Sequence, residues 1–154
     1  MFRIEETNYF RIPFLKKPFA SAKIFGNEEN KEIGGFVNFY TCQSGILIAS
    51  GIHNLPETET NFFAFHIHEV GECDGNFSSS GAHFGEGPHP LHAGDLPPLL
   101  SANGTAVSLV LTNKFSSSEI IGKAVIIHEG FDDFTTQPSG NSGARIACGI
   151  IKSV

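Results

Sequence analysis

Basic residues, cysteines and long apolar runs are all scarce in this sequence of 154 residues. Ten basic residues against 16 acidic ones give a formal net charge of −6. This charge argues against nucleic acid or an anionic membrane surface as a partner, because both attract basic proteins. No apolar run approaches the roughly 18 residues that a membrane span needs. Three cysteines are too few for a disulfide scaffold, although two of them could form one bridge.

Residues 1–18 are predicted to be an N-terminal extension, which ends at Lys16-Lys17-Pro18. This segment mixes charged with apolar residues and has no continuous hydrophobic region, so we do not expect it to be a secretory signal. The remainder, residues 19–154, has the size of a single domain.

Short runs rich in Val, Ile and Phe, bounded by Gly, Asn, Ser or Pro, fill much of the predicted domain. Such runs are typical of an antiparallel sandwich or barrel, and no segment has a convincing helical pattern. The predicted strands are residues 19–25, 33–41, 45–53, 62–69, 104–111, 120–128 and 145–151.

Two longer segments, residues 71–98 and 129–144, interrupt the strand pattern and are predicted to be loops. Loops beyond about 12–15 residues in a compact domain are usually functional or disordered. The first loop contains His83, His89 and His92. We therefore expect a bound metal ion to order it.

Six of the seven histidines fall into three groups along the chain. His66 and His68 alternate with apolar residues in a predicted strand, so their rings share one face, about 7 Å apart, and could hold one ion. His128 ends another predicted strand. The first loop offers three histidines and Asp95, a donor set that zinc accepts, and imidazole clusters also suit copper. Each group alone is more simply explained as surface or solvated side chains, but the three groups together favour a metal site. His53 has no clustered partner and is expected to be structural or exposed.

Five motifs follow one another in the second half of the chain. They are FHIHEVGEC (65–73), SGAHF (80–84), HPLHAGDLPPL (89–99), VIIHEGFDD (125–133) and GNSGARIACGII (140–151). Together they resemble the copper/zinc superoxide dismutase family, and bacterial members more than animal ones. The resemblance implies an all-β fold, an eight-stranded antiparallel Greek-key barrel with two long functional loops. The implied reaction converts two superoxide anions to dioxygen and hydrogen peroxide.

The resemblance also implies a role for each metal-ligating position. The implied copper ligands are His66, His68, His83 and His128. The implied zinc ligands are His83, His89, His92 and Asp95. His83 would therefore bridge the two metals and would carry a proton during turnover.

Two charged residues outside the ligand sets also match the family. Asp132 matches the carboxylate that links ligands of the two metals, and its neighbour Asp133 is the alternative, with a turn residue as its simpler role. Arg145 matches the arginine that attracts the superoxide anion, against the simpler interpretation of a surface salt bridge. Because Arg145 is the only cation between residues 129 and 148, we expect high salt to slow the reaction.

The resemblance pairs Cys73 with Cys148 in a disulfide and leaves Cys42 as a packed or partly exposed thiol. A disulfide is typical of oxidising compartments, yet no export signal is recognised. An exported, processed protein and an intracellular member with a protected disulfide are both open, as are a monomer and a homodimer.

Three other functions remain alternatives at this stage. One is a metal-binding or chaperone-type relative without dismutase activity. The second is a copper-only dismutase, because the spacing between His83 and His89 is shorter than we expect for the family. The third is a β-sandwich interaction domain without metal, which would leave the grouping of the histidines unexplained.

Overall fold

The computed structural model describes residues 17–154. Most of the predicted extension, residues 1–16, lies outside this range. The strands are β1 (Ala20–Gly26), β2 (Gly34–Cys42), β3 (Gly45–His53), β4 (Phe62–His68), β5 (Asp95–Leu100), β6 (Ala106–Thr112), β7 (Ala124–His128), β8 (Arg145–Ile150) and β9 (Lys152–Ser153). One short helix, α1 (Ser117–Ile120), precedes β7, and a 3-10 turn lies at Ser78–Ser80.

All strand pairs are antiparallel, and the main strands form one sheet in the order β5-β4-β7-β8-β1-β2-β3-β6, with the two-residue β9 beside β1. Neighbours such as β3 and β6, or β4 and β7, are not consecutive in the chain, as in a Greek key. The two end strands, β5 and β6, approach each other. The predicted all-β, eight-stranded antiparallel Greek-key fold is therefore confirmed, and the structure shows it as a nearly closed barrel.

Alternation along β4 places Phe63, Phe65 and Ile67 on the face opposite its histidines. Phe63, Phe65 and Ile67 are fully buried in the main hydrophobic core. Successive side chains of a strand point to opposite faces. His66 and His68 therefore lie outside the barrel wall, where the two long loops bury them.

The first long loop is shorter than predicted, because residues 95–100 form β5. Pro97 and Pro98 concealed this strand, since proline lacks an N–H donor and is rare in central strands. Strand β5 is the first strand of the sheet order and has one ladder partner, β4. An edge of this kind is where a strand tolerates proline.

The prediction of a strand over residues 120–128 was wrong in its first half, where α1 ends. Ser116 and Glu119 form a capping box, in which the Ser116 N–H donates to Glu119 Oε2 at 2.7 Å. The helix is a single turn, too short for a periodic pattern to show in the sequence. Among residues 17–154, no helix has the length and apolar character needed to cross a membrane.

Candidate metal centre

Strands β4 and β7 bring three distant histidines together. The two strands pair with His66 opposite Ile126. His128 ends β7, and its Nε2 lies 3.4 Å from Nε2 of His68. The first loop adds His83, whose backbone forms an isolated bridge with His68.

The first donor group consists of four buried imidazoles: His66, His68, His83 and His128. Their ligand atoms lie within 4.8 Å of one another. The structure thus brings together all four residues for which the sequence predicted a common copper ion.

The second donor group shares His83 with the first and surrounds one carboxylate. Asp95 Oδ1 lies 2.7 Å from His83 Nδ1, and Asp95 Oδ2 lies 3.2 Å from His89 Nδ1 and 2.9 Å from His92 Nδ1. The ligand atoms of this group also lie within 4.8 Å of one another. The short spacing between His83 and His89 therefore does not prevent the four predicted zinc ligands from converging.

Hydrogen bonds behind the rings decide which nitrogen faces each group. The Asp132 carboxylate lies 2.8 Å from His66 Nε2 and 2.7 Å from His89 Nε2, and it can only accept. Backbone carbonyls of Gly81 and Gly143 likewise accept from Nδ1 of His68 and His128, at 2.9 and 3.3 Å. In each ring the proton stays on the outer nitrogen, so the inner nitrogen keeps its lone pair for a ligand.

Three buried ring nitrogens have no hydrogen-bond partner within residues 17–154: His66 Nδ1, His83 Nε2 and His89 Nδ1. An unpartnered buried polar atom is costly. His89 Nδ1 faces an oxygen of Asp95 at 3.2 Å, and both are acceptors. Cations placed between these lone pairs would satisfy them, so the residues present fit metal ions in both groups.

Burial keeps the imidazoles in the state that binds metal. It lowers the pKa of His66, lowers that of His68 to about 2 and lowers that of His128 to about 3. Burial would raise the pKa of Asp95, but the hydrogen bond from His83 and the neighbouring imidazoles outweigh it and lower this pKa to about 2. Neutral rings and an ionised carboxylate are the forms that ligate metals.

The structure distinguishes the two adjacent carboxylates of the second loop. Asp132 is buried and joins the two donor groups through His66 and His89. Asp133 is half-buried and accepts hydrogen bonds from Thr135 and Thr136. Asp133 thus shapes the turn, and Asp132 holds two potential ligands in place.

Arg145 reaches from the start of β8 to the first loop. Its Nη1 donates to the Phe77 carbonyl at 2.7 Å and to Ser80 Oγ at 2.9 Å, and its Nη2 donates to the Gly81 carbonyl at 2.8 Å. The Gly81 carbonyl also accepts from His68, so the guanidinium lies one carbonyl away from the first group. Within the described chain, Nε–H and the second N–H of Nη2 have no partner.

The predicted disulfide between Cys73 and Cys148 is confirmed, with Cα atoms 5.9 Å apart. It fastens the beginning of the first loop to β8. A disulfide of this kind suggests an oxidising compartment.

The remaining cysteine and the remaining histidine lie apart from the metal centre. Cys42 is a half-buried free thiol. The exposed His53 lies at the end of β3, outside both donor groups.

Two residues that sequence reasoning missed support the second group. The Gln137 side chain accepts from the His89 N–H at 2.9 Å and donates to its carbonyl at 2.7 Å, which ties the two loops together. Gly140 has a φ of +68°, and a Cβ there would lie 2.0 Å from Asp132 Oδ1 and 2.7 Å from His89 Nε2. The sequence carries no signal for either role, because both depend on how the second loop folds over the first.

Comparisons with known proteins agree with this geometry. The family described as copper/zinc superoxide dismutase (SODC) matches residues 33–151. Superoxide dismutase 1, copper-zinc type, of Aquifex aeolicus (strain VF5) is 36% identical in an alignment that covers 82% of this chain and 83% of the relative. The superoxide dismutase-like protein YojM of Bacillus subtilis (strain 168) is 40% identical in an alignment that covers 92% of this chain and 82% of the relative.

A solved structure shows the same likeness in three dimensions. A doubly substituted SOD-like protein from Bacillus subtilis superposes with a TM-score of 0.70 at 35% identity, covering 84% of this chain and 94% of that chain. The metals of the family also suit the donors found here, because imidazole clusters accept copper and three histidines with one aspartate accept zinc. The chain belongs to the copper/zinc superoxide dismutase family.

Proposed function

We propose that this protein is a superoxide dismutase, which converts two superoxide anions and two protons to dioxygen and hydrogen peroxide. The observation that carries the proposal is the position of His83. One ring of this residue belongs to both donor groups, and a guanidinium with free N–H donors lies beside the first group. A redox centre, a proton carrier and an anion site therefore occur together.

The proposal assigns the first group to copper, through His66, His68, His83 and His128, and the second group to zinc, through His83, His89, His92 and Asp95. Bound copper supplies one-electron chemistry between Cu(II) and Cu(I), whereas zinc has no redox chemistry. Burial holds His66, His68 and His128 neutral. The hydrogen bonds that these three rings donate to Asp132 and to the carbonyls of Gly81 and Gly143 orient them.

His83 is the proton carrier in this proposal. Its Nδ1 is held against Asp95 at 2.7 Å, and its Nε2 is buried with no hydrogen-bond partner among residues 17–154. A proton taken up at Nε2 can be passed to a reduced oxygen species beside the ring. The ring does not need to move, because its Nδ1 stays on the side of the second donor group, beside Asp95. This is general acid–base catalysis by a positioned imidazole.

Arg145 binds and orients superoxide in this proposal. Its free N–H groups can donate to the anion while its other N–H groups remain on the first loop. Because the protein carries a formal net charge of −6, attraction must come from the local field of this guanidinium. The rate constant is therefore expected to fall as ionic strength rises, and a rate constant that stays unchanged would contradict this role.

One observation favours a second candidate, a metal-binding protein without dismutase activity. A relative that matches 92% of this chain is named superoxide dismutase-like. Against this candidate, the residues proposed as ligands and Arg145 are all in place here. A copper-only dismutase is less favoured, because the second donor group is complete.

The test combines metal analysis with superoxide consumption, measured by stopped-flow or pulse radiolysis. The unmodified protein is expected to bind about one copper and one zinc per chain, following from its two donor groups, and to consume superoxide catalytically. His128→Ala removes one donor from the first group only. We expect it to keep zinc and to lose activity by more than about 100-fold, which exceeds the usual effect of removing an outer partner of a ligand.

His53→Ala is the matched control, because His53 is an exposed histidine outside both groups. It should leave metal content and activity unchanged. A protein that binds both metals without consuming superoxide would support the non-enzymatic candidate. Full activity with copper alone and no zinc bound would instead support the copper-only enzyme.

A further inference from the structure

The outer face of β2, β3 and β6 carries an apolar patch that nothing in the dismutase proposal uses. Pairing aligns its outward side chains in three rows across the strands. The rows are Phe36–Gly51–Val107, Asn38–Ala49–Leu109 and Tyr40–Leu47–Leu111. None of these nine positions, here called the outer patch, carries a charge. In the sheet order, β8 and β1 separate it from β4 and β7, and on its other side β6 approaches β5.

Strand β6 departs from the usual distribution of polar and apolar residues, because all its outward side chains are apolar, while Ala106 and Val110 also face inward. Its outward side chains are Val107, Leu109 and Leu111, which are 78%, 48% and 55% exposed. Its inward side includes Ser108 and Thr112. A strand with one face in water normally places its apolar residues inward. With Phe36, which is 52% exposed, these side chains present roughly 400 Å² of apolar surface, a size that often marks an interaction site.

Residues 1–16 include an apolar stretch of the same chain that could cover this patch. Their sequence is MFRIEETNYFRIPFLK, and Phe10, Ile12 and Phe14 alternate with Arg11 and Pro13. In an extended conformation, alternate residues share one face. The pattern therefore gives this segment one apolar side to match an uncharged surface.

The segment joins the barrel at a point from which it can reach across the outer patch. Ala20 pairs with Phe39, which puts Phe19 level with Tyr40 at one end of the outer patch. Strand spacing of about 4.8 Å and a rise of about 3.3 Å per residue put Val107, at the far corner, about 20 Å from Phe19. Residues 10–14 lie five to nine positions before Phe19 and so reach about 16–30 Å when extended.

We propose that residues 10–14 pack across the outer patch of their own chain, with Phe10, Ile12 and Phe14 against Leu109 and Leu111. A tethered segment is present at a high effective concentration, which favours it over a second molecule. The extension would then cover a surface that otherwise promotes self-association. This role is independent of the metal centre.

The test is site-directed photo-cross-linking in the full chain. Leu109 is replaced by p-benzoyl-phenylalanine, and the irradiated protein is separated by mass and digested for peptide mapping. We expect cross-linked protein with the mass of a single chain, joined to a peptide from residues 1–16. The same replacement at Leu91, which is 67% exposed on the first loop, is the control and should not give this product.

Variants of the segment test which side of it makes the contact. Phe10→Ser combined with Ile12→Ser should reduce the cross-link severalfold, whereas Arg11→Ser should leave it unchanged. Cross-links between two chains would overturn the proposal in favour of a second copy on the patch. A yield at Leu109 no higher than at Leu91 would overturn it as well.

Discussion

Replacing Asp132 by Asn tests how one carboxylate serves both donor groups. Asp132 accepts from His66 Nε2 at 2.8 Å and from His89 Nε2 at 2.7 Å, and it is 3% exposed. Asparagine has the same shape, but one of its two oxygens becomes an NH₂ group, which cannot accept. One of the two histidines must then lose its hydrogen bond or move its proton to the nitrogen that faces the metal.

The magnitude follows from the number of ligands that Asp132 positions. Removing an outer partner of a metal-bound histidine usually weakens metal binding by about 10–100-fold. Such a factor equals about 1.4–2.7 kcal/mol. Because Asp132 holds one histidine in each group, we expect Asp132→Asn to weaken the binding of both copper and zinc, with at least one of them falling within this range.

The assay is competition with chelators of known affinity, run separately for copper and for zinc. Asp133→Asn is the matched control, because it makes the same change of charge at the adjacent, half-buried carboxylate outside both donor groups. Thermal unfolding of the metal-free variants checks that both fold. Unchanged affinity for both metals in Asp132→Asn, or an equal loss in Asp133→Asn, would refute the reasoning.

Three further predictions concern the loops, the disulfide and pH. Gly140→Ala is expected to lower both zinc affinity and stability, because the new Cβ would clash with Asp132 and His89. Gly122 also has a positive φ but an open environment, so Gly122→Ala should lower stability alone. Chelator competition and thermal unfolding distinguish the two variants, and equal zinc affinities would contradict the prediction. Replacing both Cys73 and Cys148 by Ser should lower the free energy of unfolding by about 4–4.5 kcal/mol, because the disulfide restricts the unfolded chain by closing a loop over a separation of 75 residues. Urea titrations measure this loss, and a loss below about 1 kcal/mol would contradict the prediction. The metal-free protein should lose stability as pH falls below about 6.5, because histidines such as His68 become protonated in the unfolded chain, whereas burial lowers the pKa of His68 in the native state to about 2. Each buried histidine of this kind should contribute a loss of up to about 1.4 kcal/mol per pH unit. Urea titrations that give a constant or rising stability between pH 6.5 and 4.5 would contradict the prediction.

Local pattern predicted the strands well where one face is buried. The predicted strand over residues 45–53 matches β3 in full, because its isoleucines alternate with small or exposed residues. The face shared by His66 and His68 followed from the same period of two. Where Pro97 and Pro98 lie in β5, the pattern failed, because the position of that strand at the edge of the sheet is a property of the whole fold.

Residue types predicted the donors of the centre but not the contacts that hold them. Nothing in the sequence alone distinguishes Asp132 from Asp133, because the choice depends on which side chain the second loop turns inward. The carbonyls of Gly81 and Gly143 could not be found either, since every residue has a carbonyl and only the folded loops show which ones reach a histidine. Of these orienting contacts, only the role of Asp132 was predicted, and that prediction came from the family resemblance.

The hydrogen bonds of Arg145 to the first loop mean that its side chain loses conformational entropy when the protein folds, before any anion binds. Contacts with Phe77, Ser80 and Gly81 fix the side-chain torsions of Arg145 when the chain folds. In the proposed dismutase, an arriving superoxide anion would therefore meet a guanidinium that already points in one direction, and little rotational freedom would be lost on each encounter. A lysine at this position would carry the same charge on a freely rotating ammonium, which lacks the planar fork needed to grip the loop and the anion simultaneously.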